Sequence, residues 1–276
     1  MPFGVDSAPA GVYSRFLSIP PTSAKPLSSI RAACERRDGD EEQQMAATSP
    51  GSQNRLLREL SREDYRSLAP HLKHVALSLD DVLVERNEAN HHVYFPLAGL
   101  IAVHTIFADH VSLDMVGKEG MVGVFIAAGV KAPQARIAVG GSGSAMRVAA
   151  KQFRILANRS GSLQRHMHRY TCLMLKHSAQ ASRCNGLHTV EARLARCLLE
   201  MSDRGGSREL RVTHEFLAAA IAARRSNVTV AANELRLRSL IDYTRARLTI
   251  IDRKGLLEAA CGCYGATATE ERNLSR

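Results

Sequence analysis

Apolar and polar positions change their spacing along the chain, and each spacing predicts a different kind of structure. Residues 54–72 carry two short helical patterns, the second beginning at Ser61, a residue type that caps helix N-termini. From His74 to about Val148, short apolar segments alternate with turn residues. Repeated short strands at this spacing are typical of an antiparallel barrel or jelly roll. The candidate strands begin at Val75, Val82, Val93, Leu100, Val111, Ala135 and Ala145.

A long helical pattern follows, in which apolar or small residues recur in alternating steps of four and three. These residues are Leu163, Met167, Tyr170, Met174, His177, Ala181, Cys184 and His188. Such a heptad pattern is typical of a helix that pairs with a copy of itself. We therefore predict a parallel dimer with the residues from Leu163 to Cys184 of this series in its interface. The alternative is a helix that packs against its own β-rich domain.

The last third of the chain predicts two short helices joined by a tight turn, followed by a basic hairpin. A helix over 191–203, ended by Gly205 and Gly206, precedes them. Thr213 can cap the first of the two helices, whose apolar face comprises Phe216, Leu217, Ala220 and Ile221. The second helix begins near Ser226, and its inward positions are Val228, Ala231, Ala232 and Leu235. Its outward positions are Arg225, Ser226, Thr229 and Asn233. This arrangement lets a second helix enter the major groove of DNA.

Positive charge is concentrated in the same segment. The 276-residue chain has a formal net charge of +10. The basic residues between positions 224 and 254 are Arg224, Arg225, Arg236, Arg238, Arg245, Arg247, Arg253 and Lys254. Only Glu234, Asp242 and Asp252 oppose them. A concentration of positive charge attracts polyanions, although a solvated basic face is the simpler alternative.

Bulk properties and simple motifs exclude several classes of protein. A chain of this length favours two domains, and no apolar run approaches the ~18 residues of a membrane span. The first twenty residues lack the pattern of a secretory signal, so we expect a cytoplasmic protein. The sequence contains no HExxH, GxSxG or GxxxxGK[ST] motif, and its histidine pairs lie in turn or helical contexts. We therefore do not expect an enzyme.

The six cysteines show no CxxC pair. In a reducing compartment such cysteines are mostly small buried hydrophobic residues. The one close pair, Cys261 and Cys263, is separated by a single glycine, and this spacing alone does not predict a metal site. We therefore predict none.

The order of β-rich domain, long helix and winged helix-turn-helix resembles the Crp/Fnr superfamily of bacterial transcription regulators over roughly residues 54–264. The segments that carry the resemblance are 85–101, 116–124, 184–204 and 213–229. The resemblance implies an α+β fold with an antiparallel β-roll or jelly-roll sensor domain like those that bind cyclic nucleotides. The implied divisions are a disordered extension over 1–52, a sensor domain over 53–158, a dimerisation helix over 159–188, a winged helix-turn-helix domain over 189–264 and a disordered tail over 265–276. A translation start at Met45 is an alternative interpretation of the N-terminal segment.

The resemblance also implies a function and a set of site residues. A homodimer would bind a palindromic operator in double-stranded DNA under the control of an effector, with RNA polymerase as a further partner. Thr213 corresponds to a phosphate contact, and Arg225 and Ser226 correspond to base-reading positions, with Thr229 one turn further on. The DNA-binding set is completed by Arg224, Asn227, Arg245 and Arg247, of which the last two would contact the backbone.

Three departures from the family pattern limit what the resemblance implies. The segment from Gly120 to Val124 lacks the acidic residue that would hold a ribose, and Arg136 only loosely matches a phosphate clamp, which argues against a cyclic nucleotide. Cys34 stands alone in the N-terminal region, which argues against an iron–sulfur cluster. The effector and any cofactor are therefore unknown.

The third departure concerns two turns of the DNA-binding domain. Ala222 and Ser239 occupy positions where the family normally has glycine. If these positions need a positive φ, each replacement costs on the order of 1 kcal/mol. This cost motivates an alternative function, a dimeric ligand-binding signalling module that has lost specific DNA binding.

Overall fold

The computed structural model describes residues 53–107, 110–130, 134–244 and 246–265. The predicted disordered segment over 1–52, the tail from residue 266 onward, and Arg245 lie outside the described residues. Among the residues described, no helix is both long and apolar enough to cross a membrane.

The two predicted helices at the start of the described chain are present and are anchored by a buried asparagine. They are α1 (Arg55–Arg58) and α2 (Arg62–Leu68), followed by a 3-10 turn (Ala69–His71). Asn54 caps α1, accepting a hydrogen bond from the backbone N–H of Leu57 at 3.1 Å. Its side-chain amide donates to the carbonyl oxygens of Pro96 and Gly120, both at 2.8 Å. Ser61 caps α2 as predicted, accepting from the N–H of Asp64.

Five antiparallel strands form the β-roll. They are β1 (Lys73–Leu77), β2 (Val82–Val84), β3 (His92–Phe107), β4 (His110–Val116) and β5 (Ala135–Ala149). The sheet order is β1-β5-β3-β4, and β2 pairs with β5 as well. A short helix, α3 (Val124–Ala127), lies between β4 and β5.

Two of the strands are longer than the sequence predicts. The segments beginning at Val93 and Leu100 are one strand, β3, and those beginning at Ala135 and Ala145 are one strand, β5. The turn residues between them produce register shifts between Pro96 and Ile101 without ending the strand. Gly99 has a φ of 80°, which glycine adopts at little cost. The prediction of separate short strands is therefore wrong here, because these residues form bulges.

Two apolar cores hold the roll together. The first lies between its strands and includes Tyr94, Ile101 and Ile137. The second lies between the roll and the helices on both sides of it in sequence. It joins Leu57 of α1 and Phe95 of β3 to Phe153, which lies on α4 (Ala150–Arg159).

The long helix α5 (Gly161–Leu187) and the next helix, α6 (Val190–Gly205), have well-formed ends. Ser160 and Thr189 cap their N-termini through side-chain oxygens. Gly206, with a φ of 71°, ends α6 in the left-handed conformation typical of helix C-termini.

The C-terminal part is a winged helix-turn-helix. Its elements are β6 (Glu209–Arg211), α7 (His214–Ala220), α8 (Arg225–Leu237), β7 (Ile241–Thr244), β8 (Arg247–Ile250) and α9 (Arg253–Ala259). The three strands pair in the order β6-β8-β7. Its core surrounds α6 and extends to Leu100, Ala102 and Met115 of the roll. The predicted fold class is therefore confirmed: an α+β protein with a β-roll, a long helix and a C-terminal winged helix-turn-helix.

The turns at both ends of α8 require strained residues. Ala222 has a φ of 48° and Ser239 a φ of 57°. A residue with a side chain is disfavoured in this region by about 1–2 kcal/mol relative to the right-handed region. The two non-glycine residues therefore store strain on either side of the helix.

Ala222→Gly and Ser239→Gly should each stabilise the protein by about 0.5–1 kcal/mol, because glycine adopts a positive φ without steric conflict. Urea unfolding of the full chain measures the change. Ala219→Gly, inside α7, is the matched control and should destabilise by a similar amount. A destabilising effect of Ala222→Gly would contradict the strain that we assign to this turn.

A half-buried histidine on α5, His166, should make stability depend on pH. Burial lowers the pKa of His166 below its usual value. Its Nε2 atom has no hydrogen-bond partner among the described residues. As the pH falls through about 6.5, the unfolded chain takes up a proton before the folded one does, so stability falls.

His166→Gln should therefore reduce the loss of thermal stability between neutral and mildly acidic pH. The measurement is the thermal midpoint over that range. His74→Gln, which removes an exposed imidazole ring, is the control. If both variants keep the full pH dependence of the parent, His166 is not a source of it.

Candidate nucleic-acid interface

The outward face of α8 brings several predicted DNA-binding residues together. Val228, Ala231, Ala232 and Leu235 are each at most 5% exposed and hold the opposite face in the core. Arg224, Arg225, Ser226 and Asn227 are exposed in or just before the first helical turn. The side chain of the N-cap residue, Arg224, makes no capping hydrogen bond. The first turn therefore presents basic side chains together with the positive end of the helix dipole.

Arg225 extends into solvent. Its side chain is 72% exposed, and its Nε lies 3.9 Å from a carboxylate oxygen of Glu215, which is 80% exposed. An ion pair at this distance and exposure contributes little to stability. The guanidinium can therefore leave Glu215 for a DNA base at small cost.

The two predicted threonines have structural roles. Thr213 caps α7, accepting a hydrogen bond from the N–H of Phe216 at 3.1 Å. The hydroxyl of Thr229 donates to the carbonyl of Arg225 at 3.1 Å and lies 2.9 Å from His214 Nδ1. Thr229 is only half-exposed, and its hydroxyl is already engaged within the domain. The structure therefore places it as a residue that positions α8.

His214 is a residue of this site that the sequence reasoning missed. Its ring stacks on Tyr243 with centroids 4.6 Å apart and an interplanar angle of 23°. Burial, together with the nearby Arg225 guanidinium, lowers the pKa of His214. A neutral ring that carries its proton on Nδ1 can donate to Thr229. His214 thus links α7, α8 and the hairpin, and its position directly after the Thr213 cap is the signal that could have revealed it.

The hairpin places Arg247 at its exposed tip, beside Ala246. Its predicted companion, Arg245, lies outside the described residues. Arg247 and Thr213 line a cleft of about 560 Å³ whose other wall is the β-roll. His104 of the roll meets Phe216 across this cleft in an edge-on ring contact with centroids 6.3 Å apart.

Part of the predicted basic charge serves internal contacts. Arg238 binds Glu191 at 2.6 Å, and Arg253 binds Asp203 at 2.8 Å. Both carboxylates belong to α6, so these ion pairs fasten the ends of the domain to its central helix. Counting basic residues in the sequence therefore overestimates the charge that is available for DNA.

The predicted dimer seam faces the interior of the same protomer. Leu163, Met167 and Tyr170 are at most 4% exposed and pack in the core between α5 and the roll. The hydroxyl of Tyr170 accepts a hydrogen bond from the N–H of Met121 at 3.1 Å. Cys184 is fully buried beside Cys261 and Cys263. These side chains have no surface left for a second subunit, so their assignment to a dimer interface is wrong.

The remaining predicted interface residues, Met174, His177 and Ala181, are half-buried at the edge of the same face. A second series at heptad spacing lies on the opposite, exposed face of α5. It consists of His168, Cys172, Leu175, Ala179, Ser182 and Gly186. Leu175 is 66% exposed. Because both series have the same spacing, the pattern alone does not say which one faces the roll.

The segment that the resemblance compares with a nucleotide site is packed against the protein's own side chains. Met121 and Val122 are at most 2% exposed. Gly120 lies directly against the hydroxyl of Tyr170, so a Cβ at this position would collide with it. Arg136 makes an exposed ion pair with Glu85 at 3.3 Å.

The cysteines do not all behave as isolated hydrophobic residues. Cys197 is buried in α6, where burial and the neighbouring Glu200 raise its pKa to about 12. Cys172, in contrast, is exposed. The structure brings Cys184, Cys261 and Cys263 together with His188, although they come from distant parts of the sequence. Sequence spacing cannot show such a cluster.

Comparison with known proteins finds a known domain family in the C-terminal part of the chain. Residues 192–259 match the model of the Crp-like helix-turn-helix domain. No match was found among curated protein sequences.

Solved structures share the fold. A CRP/FNR-family transcriptional regulator from Thermus thermophilus is 20% identical, with a TM-score of 0.56 over 68% of this chain and 98% of its own. FixK2 from Bradyrhizobium japonicum is 13% identical, with a TM-score of 0.54 over 69% and 98%. A protein of the crp/fnr family from Eubacterium rectale is 15% identical, with a TM-score of 0.59 over 75% and 98%. The chain therefore contains a Crp-like helix-turn-helix domain over residues 192–259, and its overall fold is similar to that of solved Crp/Fnr-family regulators.

Proposed function

We propose that the protein is a sequence-specific transcription regulator that binds a palindromic operator as a homodimer under the control of a small effector. The observation that carries the proposal is the first turn of α8, where Arg224, Arg225, Ser226 and Asn227 face solvent together. The opposite face of the helix is fixed in the core. A rigid helix with an exposed basic N-terminal turn is suited to the major groove.

Within this proposal the basic residues have two different roles. Arg225 reads a base, since a guanidinium can donate two hydrogen bonds to O6 and N7 of guanine. Arg247 contacts the phosphate backbone and fixes the position of the domain on the duplex. His214 and Thr229 hold α8 at the angle that these contacts need.

The cleft beside Arg247 and Thr213 suggests how an effector controls binding. A duplex cannot enter a cleft of about 560 Å³. Thr213 and Arg247 are exposed but border this cleft, so a movement of the winged domain away from the roll would widen their access to phosphates. The same observation favours the alternative function, a signalling module without specific DNA binding, in which the two domains stay together.

The homodimer forms, in our proposal, through the exposed face of α5 that contains Cys172, Leu175 and Ala179. Small side chains at heptad spacing allow two helices to approach closely. The helix carries Arg165, Arg169, Lys176 and Arg183 but no acidic residue. Pairing two copies therefore brings like charges together, and salt should strengthen the association by screening them.

The first test separates base reading from phosphate contact. On a duplex enriched from a random library, Arg225→Ala should cost about 1–3 kcal/mol of discrimination at one base position in each half-site. Arg247→Ala should weaken binding to all duplexes alike and reduce the salt slope by about one. Fluorescence anisotropy at several salt concentrations measures both effects.

Arg86→Ala, an equal change of charge on the β-roll, is the control for this experiment. If the Arg225 and Arg247 variants lose affinity uniformly and by the same amount, the division of roles is wrong. If the parent protein prefers no duplex over random DNA, with or without cell extract, the alternative function is favoured.

A second test concerns the dimer. Leu175→Arg should convert the protein to a monomer, because it adds two positive charges to an interface that already brings like charges together. Sedimentation velocity measures the association state, and the parent dimer should become tighter as salt is raised. Leu257→Arg, on an exposed part of α9, should leave the dimer intact. A parent protein that is monomeric at all salt concentrations contradicts the proposed interface.

A further inference from the structure

Four potential metal ligands converge where the end of the long helix meets the end of the winged domain. Cys184 and His188 lie one turn apart, at the last turn of α5 and its C-cap. Cys261 and Cys263 lie in the turn that follows α9. One donor atom from each residue lies within 4.8 Å of the others. The two pairs are more than seventy residues apart in sequence, so the fold brings them together.

The distances within this Cys₃His cluster fit a shared ion. Cys184 Sγ lies 3.5 Å from Cys261 Sγ, and Cys263 Sγ lies 3.6 Å from His188 Nδ1. Tetrahedral zinc, with bonds of about 2.3 Å to sulfur and 2.0–2.1 Å to nitrogen, separates its ligands by roughly 3.5–3.8 Å. A disulfide would need sulfur atoms about 2.05 Å apart. The observed spacing therefore matches a metal site better than a cross-link.

Burial and backbone contacts support the same interpretation. Cys184, Cys261 and Cys263 are at most 8% exposed, and His188 is half-buried. The N–H of Cys261 donates to the carbonyl of Ala192 in the first turn of α6 at 3.3 Å. These contacts hold the Cys₃His cluster in place before any ion binds, which lowers the cost of ordering its ligands.

The next residue, Tyr264, fixes the turn from its other side. Its N–H donates to the carbonyl of Cys261 at 3.2 Å. Its hydroxyl donates a hydrogen bond to the carboxylate of Asp203 at 2.5 Å and accepts one from the guanidinium of Arg253 at 2.8 Å. The cysteine turn is therefore tied to both α6 and α9.

Packing of the cysteines as small hydrophobic residues explains less of this arrangement than a metal site does. Buried cysteines commonly act as small hydrophobic residues, and thiols can form weak hydrogen bonds with one another. Packing does not require an imidazole nitrogen to meet three sulfur atoms in one place. Three sulfur donors and one nitrogen donor form a complete tetrahedral set for zinc, with no position left for water or substrate.

We propose that the protein binds one Zn²⁺ ion per chain through Cys184, His188, Cys261 and Cys263, as a structural clamp. Binding displaces a proton from each of the three thiols, so that three thiolates and a neutral imidazole surround the ion. The clamp joins the end of α5 to the segment after α9 and encloses the whole helix-turn-helix domain. Its role is to tie the C-terminal end of that domain to the C-terminal end of the long helix.

The test uses the full-length protein and zinc or cobalt alone. Protein purified under reducing conditions should contain one zinc per chain by elemental mass spectrometry. Replacing zinc with Co²⁺ should give the intense visible bands of a tetrahedral ion and the thiolate charge-transfer absorption of three sulfur ligands. Adding Zn²⁺, but not Mg²⁺, to metal-free protein should raise its thermal midpoint.

Cys263→Ser should lower zinc affinity by more than the roughly 10- to 100-fold that loss of an outer-shell partner costs. Cys172→Ser, which removes the exposed cysteine of α5, is the matched control and should keep full zinc content. The cobalt spectrum of the parent decides the question even if a ligand variant fails to fold.

Metal-free parent protein that takes up neither ion overturns the proposal. So does a cobalt spectrum with fewer than three thiolates, or an equal loss of zinc in Cys172→Ser. None of these measurements involves DNA, so their outcome is independent of the proposed regulatory function.

Discussion

Helix α6 packs against three parts of the chain at once, and its burial determines where α8 lies. Leu194, Leu198, Leu199 and Met201 are fully buried in a core that reaches α8, α9 and strand β3. Burying each such side chain contributes roughly 1.5–3 kcal/mol. Arg193 of the same helix donates to the carbonyls of Asn185 and Ile221, at 3.1 and 3.0 Å. The end of α5 and the turn before α8 are therefore fixed by one guanidinium.

The proposed DNA binding depends on the difference between the two faces of α8. The inner face is held by the core around α6, while the outer face presents arginines that make few contacts of their own. His214 connects this helix to the hairpin, so that the groups proposed to read bases and to contact phosphates move as one body. Strain at Ala222 and Ser239 shows that the chain maintains this geometry at some cost in stability.

The sequence predicts most of the fold because local signals agree with tertiary packing. Ser61 caps a helix, Gly206 ends one, and the apolar positions of α8 face inward as their spacing indicates. The sequence does not predict which face of α5 is buried, because both faces carry apolar or small residues at heptad spacing. The structure shows that Leu163 and Met167 face the roll. The Cys₃His cluster could not be predicted either, because it joins residues that meet only in the folded chain.

Methylation interference on an enriched operator tests the central claim most directly, since N7 of guanine is the atom that Arg225 is proposed to contact. Methylating guanine N7 in the major groove should block binding at two symmetrical positions separated by about one helical turn, ~34 Å. Arg225→Ala should lose this sensitivity at one guanine in each half-site. Interference confined to minor-groove adenines, or binding insensitive to methylation, would contradict a recognition helix in the major groove.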